Sequence, residues 1–371
     1  MSQTHLRYED RVNQGSYYTP PYIVQAALDL VSLYIESNSV VFDSACGYGD
    51  FLKCSGELVG CDRDEKAIQI AQQRLNLTAR FICSNSLVNV LRSKFGISED
   101  SHLVVVGNPP YNDRTSLIRK GIKNNSFEID NDLISRDLGI SFLRSYDKLQ
   151  ANVICVLHPL SYLIKRANFQ SLKSFVNNYT LIKGVLISSN EFPESAGYTS
   201  FPIVIALYVR GKGMDYGTIR SFRFETESGT EFCLDDFDYI SNYVEKYPRK
   251  CASSEDSLYF WTMRDINALK RNRTFVDCYS SNSIVIDKTK LDYYAYIDVF
   301  KRQLHRLPFY FGNCDVLFDP VLFNKYRDCF LADATARHPK LKQYYQTENT
   351  LSREAGIDSY FHSLLGKHHV D

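Results

Sequence analysis

The fold is decided by residues 40–50, which run Val40-Val41-Phe42-Asp43-Ser44-Ala45-Cys46-Gly47-Tyr48-Gly49-Asp50. The apolar start predicts a short buried strand, and the two glycines after it predict a tight turn. Because glycine has no Cβ, such a turn lets the backbone approach a ligand closely. A Gly-x-Gly turn alone fits a plain turn as well as a ligand-binding loop.

Further apolar runs alternate with helix-like segments along the first 210 residues. Residues 65–75 have the apolar spacing of an amphipathic helix. The other runs are rich in Val and Ile without alternation, as in strands buried on both faces, and they are residues 58–62, 103–106, 153–157, 184–187 and 203–209. This order predicts an α/β fold with a doubly wound, mostly parallel, Rossmann-like sheet, which binds ligands at the carboxyl ends of its strands.

The character of the sequence changes near Gly211-Lys212-Gly213. A hairpin-like stretch, Phe222-Arg223-Phe224-Glu225-Thr226, is followed by a tract rich in Tyr, Phe and charged residues. The alternation of strand and helix is lost there. We therefore predict a first domain over residues 1–210 and a second, α+β domain over residues 211–371.

The composition is that of an ordinary globular protein, with 44% hydrophobic and 23% charged residues among 371. No apolar run reaches the ~20 residues that span a bilayer, and the polar start of the chain lacks the apolar core of a secretory signal. We expect a cytoplasmic protein with no membrane partner. The ten cysteines include no Cys-x-x-Cys pair, which favours free thiols and no metal.

The charge balance gives no sign of a nucleic-acid partner. The 43 basic and 43 acidic residues sum to a formal net charge of zero. Nucleic-acid-binding proteins usually carry a basic surface. If this chain binds nucleic acid, its positive charge must be local.

A carboxylate ends the second strand of the predicted sheet. Asp62 follows Gly60-Cys61, at a position where a carboxylate can accept hydrogen bonds from ribose hydroxyls. A helix-capping or surface role fits Asp62 as well. The pattern is not that of a dinucleotide site, because the third glycine of that motif is missing.

The most informative stretch is the tetrapeptide Asn108-Pro109-Pro110-Tyr111, directly after the strand of residues 103–106. The two prolines remove N–H donors and stiffen the chain, so the Pro109 carbonyl can face a cleft. The Asn108 side chain offers a second acceptor beside it. Two fixed acceptors suit an exocyclic amino group, and Tyr111 adds an aromatic face for a planar base. The alternative is a plain turn that ends the strand, since Asn-Pro often starts turns.

Taken in order, these segments resemble the N6-adenine-specific DNA methyltransferases of restriction–modification systems, with the gamma-type order of motifs. Residues 43–49 resemble the family's glycine loop, and Tyr17-Tyr18-Thr19-Pro20 resembles its N-terminal cofactor motif. Residues 137–143 resemble its helix after the catalytic strand, and Phe192-Pro193 resembles its base-stacking segment. The resemblance covers residues 15–210 and implies a class I S-adenosylmethionine-dependent methyltransferase fold.

The resemblance also implies roles for individual residues. The tetrapeptide would hold the amino group of an adenine flipped out of double-stranded DNA, with Tyr111 and Phe192 stacked on the base. S-adenosyl-L-methionine would be bound by Tyr18, Thr19, Pro20, Asp43, Ala45, Cys46, Gly47, Gly49, Phe51, Asp62, Arg63, Asn85, Ser86 and Asn108. The family usually has Asp where this chain has Asn85. The proposed DNA contacts are Arg114, Arg119, Lys120, Lys123, Arg264 and Arg271, the last two in a target-recognition domain.

Three other functions fit the same pocket. An RNA adenine methyltransferase would see an identical flipped base, and a protein-glutamine methyltransferase would bind a side-chain amide at the tetrapeptide. An inactive DNA-binding subunit could keep the fold, although the intact tetrapeptide argues against it. A solitary enzyme and one with a cognate restriction endonuclease both stay open.

Overall fold

The structure is a computed structural model and describes residues 18–75, 79–111, 128–192, 200–247, 257–345 and 353–370. The chain divides into two compact units, Met1–Phe232 and Cys233–Asp371. This division falls after the predicted boundary near Gly211. The reason is that residues 224–232 still pair with the large sheet of the first unit.

In the first unit, the described residues form a nine-stranded sheet. Its strands are β1 Ser39–Asp43, β2 Glu57–Asp62, β3 Ala79–Cys83, β4 His102–Gly107, β5 Val153–Pro159, β6 Tyr179–Ser188, β7 Pro202–Arg210, β8 Phe224–Thr226 and β9 Glu231–Phe232. Its helices are α1 Pro21–Ser32, α2 Glu65–Leu75, α3 Leu138–Lys148, α4 Ser161–Ile164, α5 Arg166–Ser171, α6 Ser174–Asn178 and α7 Tyr216–Ser221.

The strand order is β3-β2-β1-β4-β5-β7-β6-β8-β9. The first five strands run parallel to their neighbours, and β7 runs antiparallel between β5 and β6. The predicted α/β fold with a mostly parallel sheet is therefore confirmed. The order reverses between β1 and β4, so a crevice opens at the carboxyl ends of these two strands.

The core of this unit lies on the central strands, because they carry few polar side chains. Every residue of β1 and β5 is buried. Helix α1 begins at Pro21, whose fixed φ suits the first helical turn, and no side chain caps it. Packing therefore supplies its stability: its apolar stripe, Ile23, Val24, Ala27, Leu28 and Val31, is buried, at about 1.5–3 kcal/mol for each large side chain.

The second unit has shorter strands and longer helices. Among its described residues, β10 Asp238–Tyr239 pairs with β14 Leu317–Phe318, and β11 Tyr259–Trp261 lies between β12 Phe275–Val276 and β13 Ser283–Val285. Its helices are α8 Ile266–Arg271, α9 Leu291–Arg302, α10 Pro320–Arg337 and α11 Arg353–Leu365. Its core is aromatic, with Tyr296 against the rings of Phe318, Phe323, Phe330 and Tyr360.

A buried ion cluster joins α9 to the end of α10. Asp298, 5% exposed, accepts hydrogen bonds from Arg337 and from His338 at 3.1 Å. Burial raises the pKa of Asp298, but His338, Thr274 and Arg337 together lower it to about 2. Within the described part of the chain, no helix is long and apolar enough to cross a membrane.

Candidate active site

The glycine loop after β1 is fastened to the end of β2. The Cys46 N–H donates to the Cys61 carbonyl at 3.0 Å. The Gly47 N–H donates to Asp62 Oδ2 at 2.8 Å, and the Asp64 N–H donates to Asp62 Oδ1 at 2.9 Å. Burial raises the pKa of Asp62. Each carboxylate oxygen keeps a second lone pair, so Asp62 can hold the loop and still accept from a ligand hydroxyl.

The carboxylate of Asp43 lies at the end of β1 and is 3% exposed. The Ala45 N–H donates to its Oδ1 at 3.1 Å. Burial nevertheless raises the pKa of Asp43 to about 8, and the nearby charge of Asp62 acts in the same direction. A buried carboxylate with so few hydrogen bonds or opposite charges to stabilise it lowers the stability of the fold.

Gly107, the last residue of β4, makes room for this carboxylate. A Cβ at Gly107 would lie 2.7 Å from Asp43 Oδ1, and its φ of +141° is one that other residues rarely adopt. Sequence reasoning took Gly107 only as the end of a strand. Its role depends on a neighbour in another strand, which no local pattern encodes.

Asn108 follows Gly107, and only the nitrogen of its side-chain amide is hydrogen-bonded among the described residues. Its Nδ2 donates to Thr19 Oγ1 at 3.1 Å. Its Oδ1 is buried and has no hydrogen-bond partner among the described residues. Thr19, just before α1, is 6% exposed. The predicted cofactor motif and the predicted tetrapeptide are therefore in contact through Thr19 and Asn108. This contact fixes the orientation of the Asn108 amide, whose Oδ1 can accept a hydrogen bond from a ligand.

The far end of the tetrapeptide packs on the start of α3. A Cβ at Gly139 would lie 3.0 Å from the Tyr111 Cβ and 2.6 Å from the Tyr162 hydroxyl. The Asp137 side chain caps α3 by accepting from the Gly139 N–H at 3.1 Å, and it also accepts from the Tyr162 hydroxyl. The segment whose sequence resembled the helix after the catalytic strand thus lies against Tyr111.

A cleft lies among these elements, where β1 and β4 end. It is lined by Tyr18, Thr19, Asp43, Ala45, Cys46, Gly47, Tyr48, Asp50, Phe51 and Asn108. The sequence predicts a cofactor-binding role for all of these except Tyr48 and Asp50. Arg74 holds that pair, by bonds of 2.9 Å to the Tyr48 carbonyl and 2.8 Å to Asp50.

The other predicted cofactor residues are not among those that line this cleft: Pro20, Gly49, Asp62, Arg63, Asn85 and Ser86. Asn85 and Ser86 follow β3, and Ser86 is buried while Arg63 is exposed. Gly49 has a φ of +75°, and Pro20 directly precedes α1. The Asn85 amide donates to the Glu128 carbonyl at 2.8 Å, and its Oδ1 accepts from the Leu87 N–H at 3.0 Å.

The two predicted stacking side chains belong to one apolar cluster. Phe192 is 1% exposed within this cluster, and Tyr111 packs against it. Glu191, directly before Phe192, accepts from the hydroxyl of Tyr22 on α1. Sequence reasoning missed that contact, because 169 residues separate its partners.

Some predicted site residues lie outside the described residues: Tyr17, Arg114, Arg119, Lys120, Lys123 and Pro193. In the second unit, Arg264 and Arg271 are both exposed. Their contact with DNA stays a prediction. Among the described residues, no group of His, Cys, Asp or Glu is placed to hold a metal ion.

A sheet in the order β3-β2-β1-β4-β5-β7-β6 with β7 antiparallel is the arrangement of class I S-adenosylmethionine-dependent methyltransferases. The sequence prediction of this fold is confirmed. Residues 5–166 match the family model described as N-6 DNA Methylase.

Similar solved structures are distant in sequence. One is described as the modification subunit of a type I restriction enzyme from Vibrio vulnificus, with 18% identity over 64% of this chain and 56% of that chain, and a TM-score of 0.42. This chain thus spans little more than half of that subunit.

Two others are described as a class I S-adenosylmethionine-dependent methyltransferase from Listeria monocytogenes and an RNA methyltransferase from Pyrococcus horikoshii. The first has 14% identity over 58% of this chain and 66% of that chain, with a TM-score of 0.40. The second has 16% identity over 54% and 88%, with a TM-score of 0.35. No curated protein matches the chain.

Proposed function

We propose that the protein transfers a methyl group from S-adenosylmethionine to N6 of an adenine flipped out of double-stranded DNA. On the motif resemblance, it acts as the modification enzyme of a restriction–modification system. The observation that carries the proposal is the Asn108 side chain, with Nδ2 tied to Thr19 and Oδ1 buried without a partner among the described residues.

An unpaired buried acceptor costs about 1–3 kcal/mol. Such a cost is expected where a ligand donor completes the bond, and the exocyclic amino group of adenine is a donor of this kind. The Thr19 hydroxyl orients the amide, so that the oxygen faces the substrate before it arrives. Asn108 Oδ1 and the Pro109 carbonyl accept the two amino hydrogens.

These two bonds align the N6 lone pair with the methyl carbon. The bound cofactor would supply the methyl group to this lone pair and keep the electron pair of its own S–C bond, and the proton released from N6 would pass to solvent. Positioning and fixed dipoles supply the acceleration, since the sulfonium is already a reactive leaving group. Tyr111 stacks on the base, and such a contact contributes about 1–3 kcal/mol. Phe192 is 1% exposed in the apolar cluster, so it can stack on the base only if its side chain leaves that cluster.

The residues around the cleft fit the cofactor. S-adenosylmethionine, when bound, supplies the electrophilic methyl group. Asp62 can accept from ribose hydroxyls, and the glycine loop between β1 and β2 lets the ligand lie close to the backbone. Tyr18, Thr19 and Phe51 line the cleft where β1 and β4 end.

DNA as the substrate is supported by local charge and by the description of the matching family model. Residues 148–190 contain five Lys or Arg and no Asp or Glu, although the whole chain is neutral. Two of the five, Lys148 and Lys183, form ion pairs with carboxylates outside this stretch. Within this stretch, Tyr162 lies beside Gly139 and hence close to Tyr111. The exposed Arg166 is the first residue of α5, which follows α4 after the extended Lys165, and its guanidinium lies over the ring of Tyr216 at 5.4 Å. Cations at this place suit the phosphates that flank a flipped base.

The test is methylation with labelled S-adenosylmethionine on duplex DNA, RNA and protein extract, with identification of the methylated product. We expect N6-methyladenine in DNA, and at least a 100-fold lower kcat for Asn108→Ala at unchanged thermal stability. Thr19→Val keeps the side chain's shape but frees the Asn108 amide, so we expect a smaller loss. Methylation of RNA or glutamine alone contradicts the DNA proposal, and full activity of Asn108→Ala contradicts the assigned pocket.

A further inference from the structure

A loop of the first unit, residues 84–90 after β3, lies directly beside Asp62. We call it the β3 loop. The Ser84 N–H donates to the Asp62 carbonyl at 2.9 Å, and the Cys61 thiol donates to the Ser84 carbonyl at 3.3 Å. The β3 loop therefore stands at the carboxyl edge of the sheet, one strand beyond the carboxylate assigned to the ribose. In the proposed function, this is the side on which the cofactor's adenine lies.

The β3 loop is held from outside by residues 128–130. The Asp130 N–H donates to the Leu87 carbonyl at 2.9 Å. In return, the Asn89 N–H donates to Asp130 Oδ1 at 2.8 Å, and the Val90 N–H donates to Asp130 Oδ2 at 3.1 Å. A single carboxylate thus binds two successive backbone N–H groups. It stabilises a turn in which Asn89 has a φ of +50°, a left-handed conformation that few residues other than glycine adopt and that Asn adopts more readily than most of them.

The Asp130 carboxylate is itself fixed by α3. Lys148, in the last turn of that helix, donates to Asp130 Oδ2 at 3.0 Å. Slight burial raises the pKa of Asp130, but the Val90 N–H, Lys148 and the Asn89 N–H outweigh it, so the pKa lies below its usual value. The carboxylate is therefore charged at neutral pH. The same helix meets Tyr111 at its other end, through Gly139.

We propose that Asp130 is a positioning residue for the cofactor: its carboxylate fixes the β3 loop in the conformation that receives the adenine ring. This inference rests on the proposed function. Asn85 assists, because its amide bridges to the Glu128 carbonyl within the same set of bonds. Asp130 acts through the loop and takes no part in methyl transfer.

The test compares Asp130→Asn with Asp132→Asn. An amide at position 130 can accept from one of the two N–H groups but not from both. Asp132 binds the same Lys148 at 2.9 Å and is 60% exposed. The structure gives Asp132 no bond to the β3 loop, so its variant is a matched control for the change in charge.

We expect Asp130→Asn to bind S-adenosylhomocysteine about tenfold more weakly in calorimetric titration, as removal of one strong hydrogen bond implies. The KM for S-adenosylmethionine should rise in proportion, with kcat at saturating cofactor within about twofold of wild type. Asp132→Asn should match wild type in all three. If the role of Asp130 were purely structural, Asp130→Asn would lower the melting temperature, and it would not raise KM while leaving kcat unchanged.

Two outcomes overturn the inference: wild-type affinity in Asp130→Asn, or an equal loss in both variants, which would assign the effect to Lys148. If Asp130→Asn does not fold, Asp130→Glu keeps the charge but displaces the carboxylate from the Asn89 and Val90 N–H groups, and it should weaken binding about threefold; unchanged affinity then refutes the inference. Wild-type protein that fails to bind S-adenosylhomocysteine refutes the proposed function instead, so the two failures are distinguishable.

Discussion

Buried polar groups at the two ends of the parallel strands differ in whether they have hydrogen-bond partners. We call the side of the large sheet where the parallel strands begin its amino edge, and the side where they end its carboxyl edge. At the amino edge, Arg92 is 6% exposed. Its guanidinium donates to five backbone carbonyls, those of Ser98, Glu99, Ser101, Leu149 and Gln150. At the carboxyl edge, Asp43 is buried with a pKa raised to about 8. There too, Asn108 Oδ1 is buried without a partner among the described residues.

The comparison distinguishes buried polar groups that stabilise the fold through bonds within the protein from buried polar groups whose bonds a ligand would complete. Satisfied buried hydrogen bonds rigidify a structure, whereas unsatisfied ones cost free energy and persist mainly at functional sites. Buried polar groups therefore stabilise the fold at the amino edge and destabilise it at the carboxyl edge. We expect substitutions at the amino edge to change the free energy of unfolding, and substitutions at the carboxyl edge to change methylation activity as well.

The largest effect is expected at the amino edge, from Arg92→Met. The change leaves five carbonyls without their donor, so we expect the free energy of unfolding to fall by about 3 kcal/mol or more. Denaturant titration measures this, and the kcat of the protein that remains folded should not change. Arg223→Met is the control, because Arg223 is 55% exposed and pairs with Glu231 at 3.6 Å; it should cost less than about 1 kcal/mol. Equal costs would contradict the contrast.

The next effect is expected at the carboxyl edge, from Gly107→Ala. The new Cβ would lie 2.7 Å from Asp43 Oδ1 in a backbone with φ of +141°, so we expect a loss of about 1–3 kcal/mol together with loss of methylation. Gly211→Ala is the matched control, since no atom lies within 4 Å of a Cβ built there. A Gly107→Ala protein with wild-type stability and activity would show that the close approach is dispensable.

The smallest effect concerns pH. The pKa of Asp43 rises from 3.8 to about 8 on folding, so the folded state holds an extra proton between these values and stability falls as pH rises. His158 acts oppositely, because burial lowers its pKa from 6.5 to about 4, and its contribution ends above pH 6.5. From pH 6.5 to 8 we expect a fall of up to about 1.4 kcal/mol per unit, which Asp43→Asn removes.

Denaturant titrations at pH 6.5 and 8 measure this fall. His158→Gln should keep it and alter only the profile below pH 6.5. A wild-type profile that is flat from pH 6.5 to 8, or an Asp43→Asn protein with an unaltered slope, would mean that Asp43 is charged in the folded state.

The sequence allowed prediction of those parts of this sheet that depend on local pattern. Strands β1, β4, β5 and β7 are continuous apolar runs, and the cleft could be located because parallel strands present their carboxyl ends at one edge. Strand β3 was missed, since its residues are only partly buried. The roles of Gly107, Tyr162 and Arg92 were also missed, because each is defined by partners distant in the sequence. The compact units divide after Phe232 and not near Gly211, because β8 and β9 pair with the large sheet, and the sequence of two such short strands does not indicate which sheet they join.

The place of β7 has a consequence for how the chain is made. This strand follows β6 in the chain but lies between β5 and β6 in the sheet, and it is buried over most of its length. Until residues 202–210 leave the ribosome, β5 and β6 cannot be joined, and each presents an open edge that invites wrong pairing. Of β5, β6 and β7, the last strand to be synthesised is therefore the one that lies between the other two, so β7 joins the sheet by insertion, whereas the later strands β8 and β9 add beyond β6.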